Sequence, residues 1–172
     1  MENLLQIVKG RRSIRKFKPD PIPEEDLREI LEAATWAPSA GNTQDWRFIV
    51  VRDPGLKTKL AEAAMWQNFL MEAPVVIVVC ADLERARNAY GERGVELYSV
   101  QDTAAATQNM LLVAHAKGIG SCWVGAFSEV LVREALGLGQ MMRPVALIPL
   151  GYPAQVPAPR PRRPLEEVVE YR

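Results

Sequence analysis

The sequence predicts one domain of mixed α and β structure, and three observations support this fold class. The length of 172 residues corresponds to one domain, at about 150 residues per domain. Hydrophobic residues make up 48% and charged residues 24% of the chain, a composition typical of a packed globular protein rather than a disordered one. Segments with helical periodicity alternate along the chain with β-branched apolar runs.

The clearest helix is predicted over residues 23–37. Its apolar residues from Leu27 to Ala34 repeat at helical spacing, acidic side chains fill its first turn, and Pro38 ends the pattern. The segment at about 98–117 is rich in alanine and nearly uncharged, so we expect a helix buried on several sides. Two further helices are predicted at about 55–66 and from an N-cap at Ser128 to Gly137.

Four strands are predicted, at residues 46–52, 74–81, about 119–124 and 145–150. The run VVIVVCA, at 75–81, is apolar on both faces, which predicts a central strand covered on both sides. Pro149 lies near the end of its run, which suits an edge strand or the end of a strand.

The chain divides into a core at residues 1–152 and an extended arm at 153–172 that belongs to the same domain. Seven of the 13 prolines fall within 144–172, and YPAQVPAPRPRRP cannot form a helix. The arm ends in an apolar group, Leu165, Val168 and Val169. An extended segment with an apolar end predicts contact with a second copy of the chain.

Composition excludes several classes of protein. The chain has 21 basic and 21 acidic residues, so a general nucleic-acid-binding protein is not expected. The charged N-terminus does not resemble a signal peptide, and the longest apolar run is far short of the roughly 20 residues of a membrane span. Two cysteines cannot form a disulfide framework. We therefore expect a cytoplasmic protein with no membrane partner.

The zero net charge conceals a segregated pattern. Residues 1–19 carry a net charge of +5, and residues 20–32 carry −5. The basic block could pair with the acidic helix that follows it, or it could bind an anion.

The motifs of several common chemistries are missing. The sequence has no glycine-rich phosphate loop and no serine elbow of the hydrolase type. One histidine and two cysteines cannot build a Cys/His zinc site within one chain, so no metal is expected. His115 lies in an apolar helix, which favours a packed core histidine over a catalytic base.

Three polar clusters remain as candidate sites. Residues 11–15 (RRSIR) and 160–163 (RPRR) supply guanidinium groups, whose paired N–H donors match phosphate oxygens. Residues 38–46 (PSAGNTQDW) place amides and hydroxyls beside an aromatic ring, a donor and acceptor set that suits the edge of a heteroaromatic ring. For the loop at 38–46 alone, a plain polar turn is the simpler interpretation.

Four segments together resemble the FMN-dependent nitroreductase family in its compact form. They are RRSIRKF, APSAGNTQDWRFIVV, KGIGSCWVGAF, and LGYP followed by RPRRPLEEVV, and their order and spacing match over residues 4–171. The resemblance implies an α+β, three-layer fold with a central mixed sheet flanked by helices. It also implies a homodimer with FMN at the subunit interface, in which the C-terminal arm reaches the partner subunit.

The resemblance also implies site residues. Those expected at the FMN phosphate and ribityl chain are Arg11, Arg12, Ser13, Arg15, Arg160 and Arg162, whereas Arg163 should face solvent. Those expected to lie along the partner's flavin are Pro38, Ser39, Asn42 and Gln44. Those expected at the ring are Gln67, at its polar edge, and the backbone of Gly125 and Ala126, near the reactive N5 atom. Trp46 and Trp123 could wall the site or pack in the core.

The implied activity is ping-pong hydride transfer from NADH or NADPH to flavin N5, then to a nitroaromatic, quinone or flavin acceptor, with no catalytic side chain. A specialised flavin reaction, such as dehalogenation, dehydrogenation or flavin fragmentation, is an alternative, and a dimeric binding module without enzymatic activity is a weaker one. The chain departs from the family at Asp45, where proline is usual, and this affects the expected turn geometry. In longer members of this family, the region that corresponds to 83–97 covers the substrate pocket. The segment is short here, and the resemblance therefore implies an open, permissive pocket.

Overall fold

The computed structural model describes residues 4–172, which form a four-stranded sheet between two layers of helices. The strands are β1 (Trp46–Val51), β2 (Val75–Asp82), β3 (Gly120–Ser121) and β4 (Met142–Gly151). The helices are α1 (Leu4–Gly10), α2 (Glu24–Thr35), α3 (Pro54–Ala63), α4 (Phe69–Glu72), α5 (Leu83–Arg93), α6 (Ser99–Ala116) and α7 (Glu129–Leu136). A π-helical turn (Gly94–Tyr98) joins α5 to α6, and short 3-10 turns lie at Ala40–Asn42 and Leu165–Glu167.

The strand order is β1-β2-β4-β3, and each neighbouring pair is antiparallel. β2 is central, with Ile77 opposite Val50 of β1 and Ile148 of β4. A parallel bridge joins Ser13 to Ser121 at the β3 edge. The α+β fold class and the central position of the apolar run are confirmed.

Side chains of β2 alternate between two cores, one on each face of the sheet. Val76 and Val78 pack toward the layer that contains α3, α4 and α7, whereas Ile77 and Val79 pack toward α2 and α6. All four side chains are fully buried. Burial of each such side chain stabilises the fold by about 1.5–3 kcal/mol. Because β2 buries side chains on both faces, the sheet needs a layer of helices on each side.

The strand predictions differ from the structure at the far edge of the sheet. β3 keeps only two residues of the predicted 119–124 strand, because the chain leaves the sheet after Ser121 and returns only as an isolated bridge at Val124. β4 is longer than predicted and lies between β2 and β3. Pro149 sits near the end of an inner strand, so the prediction that it marks the end of a strand is confirmed and the edge-strand alternative is wrong.

The predicted helices are present with small changes at their ends. α3 stops at Ala63 because Met65 and Trp66 adopt left-handed backbone angles, with φ of 56° and 57°. α7 begins at the N-cap Ser128 and ends at Gly137 in a left-handed conformation, as expected. α6 buries one stripe of side chains and leaves others, such as Gln108, exposed, so burial on several sides is only partly observed.

Among residues 4–172, the ion pairs of the acidic helix α2 are made with cations outside the basic block. Lys117 bonds to Asp26 at 2.8 Å and to Glu29 at 2.7 Å, and Arg52 bonds to Glu24 at 2.6 Å. These cations come from the end of α6 and the end of β1. The charges of the basic block are thus available for another role.

The C-terminal arm is exposed and lacks regular structure until its short 3-10 turn. Its start is fixed to the core, because Lys18 N donates to Tyr152 O at 2.8 Å and Ala154 N donates to Lys16 O at 2.9 Å. Large apolar side chains on the arm are open to solvent, with Leu165 64% and Tyr171 90% exposed. Within residues 4–172, no helix has the length and apolar character needed to cross a membrane.

Candidate functional site

The two arginine clusters of the sequence meet in one groove of about 780 Å³. One wall is the end of α1 and the segment that follows it, and the other wall is the arm. The lining residues predicted from the sequence are Arg11, Arg12, Ser13, Arg15, Arg160 and Arg162. The groove therefore joins segments from opposite ends of the chain.

Backbone pairing with the sheet places the N-terminal wall of the groove. Ile14 is 3% exposed and packs in the core, and its N–H donates to Ser121 O at 2.8 Å. Residues alternate along this extended segment, so the buried Ile14 directs its neighbours Ser13 and Arg15 outward. One apolar residue thus orients the polar groups on either side of it.

The groove is strongly positive. The pKa of Arg11 is lowered mainly by burial, and the nearby charges of Arg162 and Arg12 lower it further. Arg163 lies outside the groove lining and pairs with Glu167 at 3.1 Å on the surface, as expected for a solvent-facing residue. Like charges held this close are destabilising unless an anion lies between them.

Arg12 has a structural role that the sequence did not predict. Its Nη1 donates to the carbonyl oxygens of Lys9 at 2.7 Å, Gly10 at 2.9 Å and Arg11 at 3.0 Å. Lys9 and Gly10 are the last residues of α1 and Arg11 follows them, so the side chain caps the C-terminus of the helix. Only the remaining nitrogens of this guanidinium are available to a ligand.

A second group of predicted residues lies together near α4. Gln67 Nε2 donates to Ala64 O at 3.1 Å and to Ala126 O at 3.3 Å, which fixes its side chain beside the loop that contains Gly125. Gly125 is exposed, and the nearest atom to a Cβ built on it would be Trp123 Nε1 at 4.0 Å. The backbone here offers an open surface for a flat ligand.

Arg15 connects the two groups. It lines the arginine groove, and its guanidinium lies 6.0 Å from the centre of the Phe69 ring at the start of α4. A cation over an aromatic face is favourable. The site therefore continues from the phosphate-competent groove toward Gln67.

The loop at 38–46 lies apart from this groove within one chain. Its described hydrogen bonds go to itself, to β2, to α5 and to α6. Ser39 Oγ accepts from Gln44 N at 3.0 Å, and Gln44 Nε2 donates to Asn42 Oδ1 at 3.2 Å. Left-handed backbone at Asn42 and Gln44, with φ of 56° and 51°, gives this loop its shape. The structure thus does not bring Pro38, Ser39, Asn42 and Gln44 to the arginine groove of the same chain.

Side chains of α5 and α6 hold the loop at 38–46 in place. Asp102 of α6 accepts from Ala40 N at 3.1 Å with both carboxylate oxygens, and Arg85 Nε donates to Thr43 O. The Tyr90 hydroxyl packs against Gly41, where an added Cβ would overlap it. The short 83–97 segment thus supports the loop.

Sequence reasoning missed two polar residues of α6. Gln108 lines the arginine groove, and Asp102 is almost fully buried under the loop at 38–46. Polar residues in an otherwise alanine-rich helix were the available signal. Trp46 is half-buried and stacks on Phe48, whereas Trp123 is 39% exposed beside Gly125.

His115 is half-buried at the back of the N-terminal segment. It lines a smaller cavity of about 220 Å³ together with Gly10, and its ring is so close that a Cβ on Gly10 would lie 2.7 Å from Nε2. This packing agrees with a structural histidine. Within residues 4–172, no group of three or more His, Cys, Asp or Glu side chains could hold a metal ion.

The donor set of the site fits one kind of ligand. Guanidinium groups and the Ser13 hydroxyl at one end match a phosphate, and the Gln67 amide and open Gly125 backbone at the other end match a planar heteroaromatic ring. A ring that carries a phosphate on a flexible chain, as FMN does, satisfies both ends.

Comparison with known proteins identifies the same family as the sequence motifs. The family model described as Nitroreductase family matches residues 8–69 and 63–152. The NADH dehydrogenase of Thermus thermophilus is 41% identical over 189 residues, which cover 94% of this chain and 92% of that protein. An NAD(P)H-dependent FMN reductase of Bacillus subtilis is 31% identical and is covered over 73% of its length by 98% of this chain.

A solved structure has the same fold. The NADPH:FMN oxidoreductase of Vibrio harveyi, determined with NAD+, superposes with a TM-score of 0.91 at 29% identity. The match covers 99% of this chain and 77% of that one.

Proposed function

Because the chain belongs to the nitroreductase family, we propose that it is an FMN-dependent NAD(P)H oxidoreductase. The observation that carries this proposal is the convergence of Arg11 and Arg162 on one groove. Two clusters of like charge from distant parts of the sequence gain stability when they share an anion, and the FMN phosphate is such an anion.

The residues of the groove would hold the phosphate end of the cofactor. Ser13 is directed outward by the buried Ile14, Arg11 is held at the end of α1 by its N–H bond to Ile7 O, and Arg160 and Arg162 approach from the arm. Charge-assisted hydrogen bonds to an ionised group are worth about 1.5–3 kcal/mol each. We assign phosphate binding mainly to Arg11, Ser13, Arg160 and Arg162, since one nitrogen of Arg12 already caps α1.

The residues near α4 would hold the ring. The Gln67 amide is fixed by Ala126 O, so it presents its remaining polar atoms in one orientation. Arg15, between the groove and Phe69, supplies positive charge on the same side. Gly125 leaves the reactive face open to a second flat molecule. When bound, FMN supplies the redox chemistry, taking a hydride from NADH or NADPH and passing electrons to an acceptor.

The active unit would be a homodimer. The loop that carries Pro38, Ser39, Asn42 and Gln44 is well ordered by its own bonds yet lies away from the groove of its own chain. In a dimer it can lie along the flavin of the partner subunit. The exposed apolar groups of α1 and the arm, among them Leu4 and Leu165 at 68% and 64% exposure, provide surface for the contact.

The open site favours a broad range of acceptors, including nitroaromatics, quinones and free flavin. The segment at 83–98 packs against the loop at 38–46, so its contacts support that loop. Some specialised flavin enzymes add a lid or a specific base, and none of the groups assigned to the ring, Arg15, Gln67 and Gly125, is a carboxylate or an imidazole that could act as one. A reductase with exchangeable acceptors is therefore the simplest function for this geometry.

Reduction of the bound flavin by NADH tests the proposal directly. We expect the purified protein to bind FMN with 1:1 stoichiometry per chain and to be yellow, and NADH or NADPH to bleach it without air. Reoxidation by a quinone or a nitroaromatic should restore the colour. A folded protein that fails to bind FMN in an equilibrium titration would overturn the proposal.

A further inference from the structure

Two carboxyl groups meet under the loop that is proposed to contact the partner's flavin. Asp45 ends this loop and is 1% exposed, and Asp102 of α6 is 6% exposed. Asp102 binds the same loop through Ala40 N, which places its carboxyl on the side of the loop where Asp45 is buried, and the charge of Asp102 acts on Asp45. They come from segments far apart in the sequence, so the fold itself builds the pair.

The two carboxyls differ in the donors available to them. Asp102 accepts from Ala40 N at 3.1 Å with each oxygen, and Thr43 Oγ1 lies 3.5 Å from Oδ2. Both side-chain oxygens of Asp45 are buried, and no other residue among 4–172 donates a hydrogen bond to them; only the backbone of Asp45 itself favours the ionised form. If both groups were ionised, Asp45 would be a buried anion with no donor from another residue and an anion as its neighbour, which is costly. A proton on Asp45 removes this cost, because its hydroxyl can then donate to Asp102.

Within residues 4–172, no cation is among the groups that act on the charge of Asp45. Besides Asp102, the charged group that acts on it is Asp82, at the end of β2, whose N–H also donates to Asp45 O at 2.8 Å. Arg85 of α5 bonds to the Thr43 carbonyl oxygen, and Arg47 of β1 acts on Cys80 of β2. The charged side chains that act on Asp45 are therefore both acids.

We propose that Asp45 and Asp102 share a proton and that this proton holds the loop at 38–46 in the shape that contacts the partner's flavin. Asp102 is a positioning residue through Ala40 and Thr43, and Asp45 is its proton donor. Loss of the proton places two anions side by side, which drives the Asp102 carboxylate away from Ala40 N and loosens the loop. The link to the flavin rests on the proposed function, whereas the shared proton does not.

The electrostatics agree with this geometry. Burial, together with the charge and hydrogen bond of Asp102, raises the pKa of Asp45 from 3.8 to about 6, and a backbone hydrogen bond acts in the opposite direction. The Asp45 carboxyl thus titrates near pH 6. Loop order should be high below about pH 6 and lower above it.

Titration of the full-length, isotope-labelled protein tests the shared proton. We expect the side-chain carboxyl carbon of one member of the pair to titrate near pH 6 by NMR, and this transition to disappear in Asp45→Asn. The asparagine amide can donate permanently to Asp102, so this variant mimics the protonated state. Asp53→Asn, at the exposed N-cap of α3, is the matched control and should leave the transition in place. If both carboxyls titrate in the ordinary range near pH 4, the proposal is wrong.

Hydrogen exchange at Ala40 tests the effect on the loop. Protection of the Ala40 amide, corrected for intrinsic exchange, should fall about tenfold between pH 5 and pH 8 in the natural protein. It should stay constant in Asp45→Asn. Equal protection at both pH values in the natural protein would overturn the role of the proton in holding the loop.

Release of FMN from the same samples separates this inference from the proposed function. The release rate, followed by the rise in flavin fluorescence, should increase with pH through the carboxyl transition and be independent of pH in Asp45→Asn. An FMN release rate that stays constant with pH through the carboxyl transition would overturn the link between the loop and the cofactor. Failure of every sample to bind FMN would count against the proposed function and against the flavin link, and the carboxyl titration would still decide the shared proton.

Discussion

Arg11 and Arg162 line a single groove, where partial burial lowers the pKa of the Arg11 guanidinium and the positive charge of Arg162 lowers it further. The two residues belong to opposite ends of the chain. The arm that carries Arg162 is joined to the core at its first residue by the bridge between Phe17 and Pro153. Repulsion between them persists until an anion enters. This repulsion is the physical basis of the proposed phosphate site.

Removal of either guanidinium should weaken FMN binding. Arg11→Ala and Arg162→Ala each delete charge-assisted hydrogen bonds of about 1.5–3 kcal/mol, so we expect the Kd for FMN to rise roughly 10-fold to 100-fold. Fluorescence titration of the flavin-free protein measures this. Arg163→Ala is the matched control, because Arg163 pairs with Glu167 and should leave the Kd unchanged. Equal effects of all three substitutions would show a general charge effect rather than a phosphate site.

A side chain at Gly125 should block the reaction without disturbing the fold. The backbone of Gly125 is not left-handed, and an added Cβ meets open space, so Gly125→Val should keep the thermal midpoint within about 2 °C of the natural value. Its branched side chain would stand on the face assigned to NADH. We expect flavin reduction by NADH to slow at least about tenfold in stopped-flow measurements. The matched variant Gly139→Val, also in open space but away from the site, should reduce normally. A normal reduction rate in Gly125→Val would place the reactive face elsewhere.

Features encoded by local pattern were predictable from the sequence. The repeat from Leu27 to Ala34 gave α2, and the β-branched run gave β2, because burial of these residues is set by a short stretch of sequence. The same reasoning failed at α5, which has few apolar residues, and at the turn through Met65 and Trp66, whose left-handed angles no residue preference indicates.

Residues of the candidate site were predictable from the sequence only where they belong to a recognisable motif. Guanidinium groups and amides could be identified by their chemistry, but the helix-capping role of Arg12 depends on three-dimensional geometry. Asp45 is buried together with Asp102, which is distant in sequence and lies in the alanine-rich helix α6. Long-range pairs of this kind leave no periodic signal in one sequence.

Truncation of the arm should weaken both assembly and cofactor binding. A chain that ends at Val156 keeps the bonds of Tyr152 and Ala154 to the core but loses Arg160, Arg162 and the apolar end. We expect the dimer to dissociate at least about tenfold more readily and FMN affinity to fall, because two phosphate donors and the contact surface are lost together. Analytical ultracentrifugation and flavin titration measure the two effects.

A matched variant separates the two roles of the arm. Leu165→Ser with Val169→Ser keeps the arginines and removes only apolar surface, so it should weaken the dimer more than it weakens FMN binding at saturating protein. A fully dimeric, flavin-loaded protein after truncation at Val156 would show that the arm is dispensable.

The Asp45 carboxyl should make the protein less stable as pH rises. Its pKa is about 6 in the folded protein against an ordinary value of 3.8, so the folded state binds the proton more tightly than the unfolded chain does. Stability contributed by this proton is therefore full below about pH 4, falls as pH rises toward 6, and is absent above that range. Asp45→Asn removes this dependence, and we expect it to be more stable than the natural protein by about 1–3 kcal/mol at pH 8 and by much less at pH 4.5. Chemical unfolding at fixed protein and FMN concentrations measures the difference at each pH, and Asp53→Asn, an exposed helix cap without a neighbouring carboxyl, corrects for the loss of one negative charge. A difference between Asp45→Asn and the natural protein that stays constant from pH 4.5 to pH 8 would mean that Asp45 is ionised throughout and carries no shared proton.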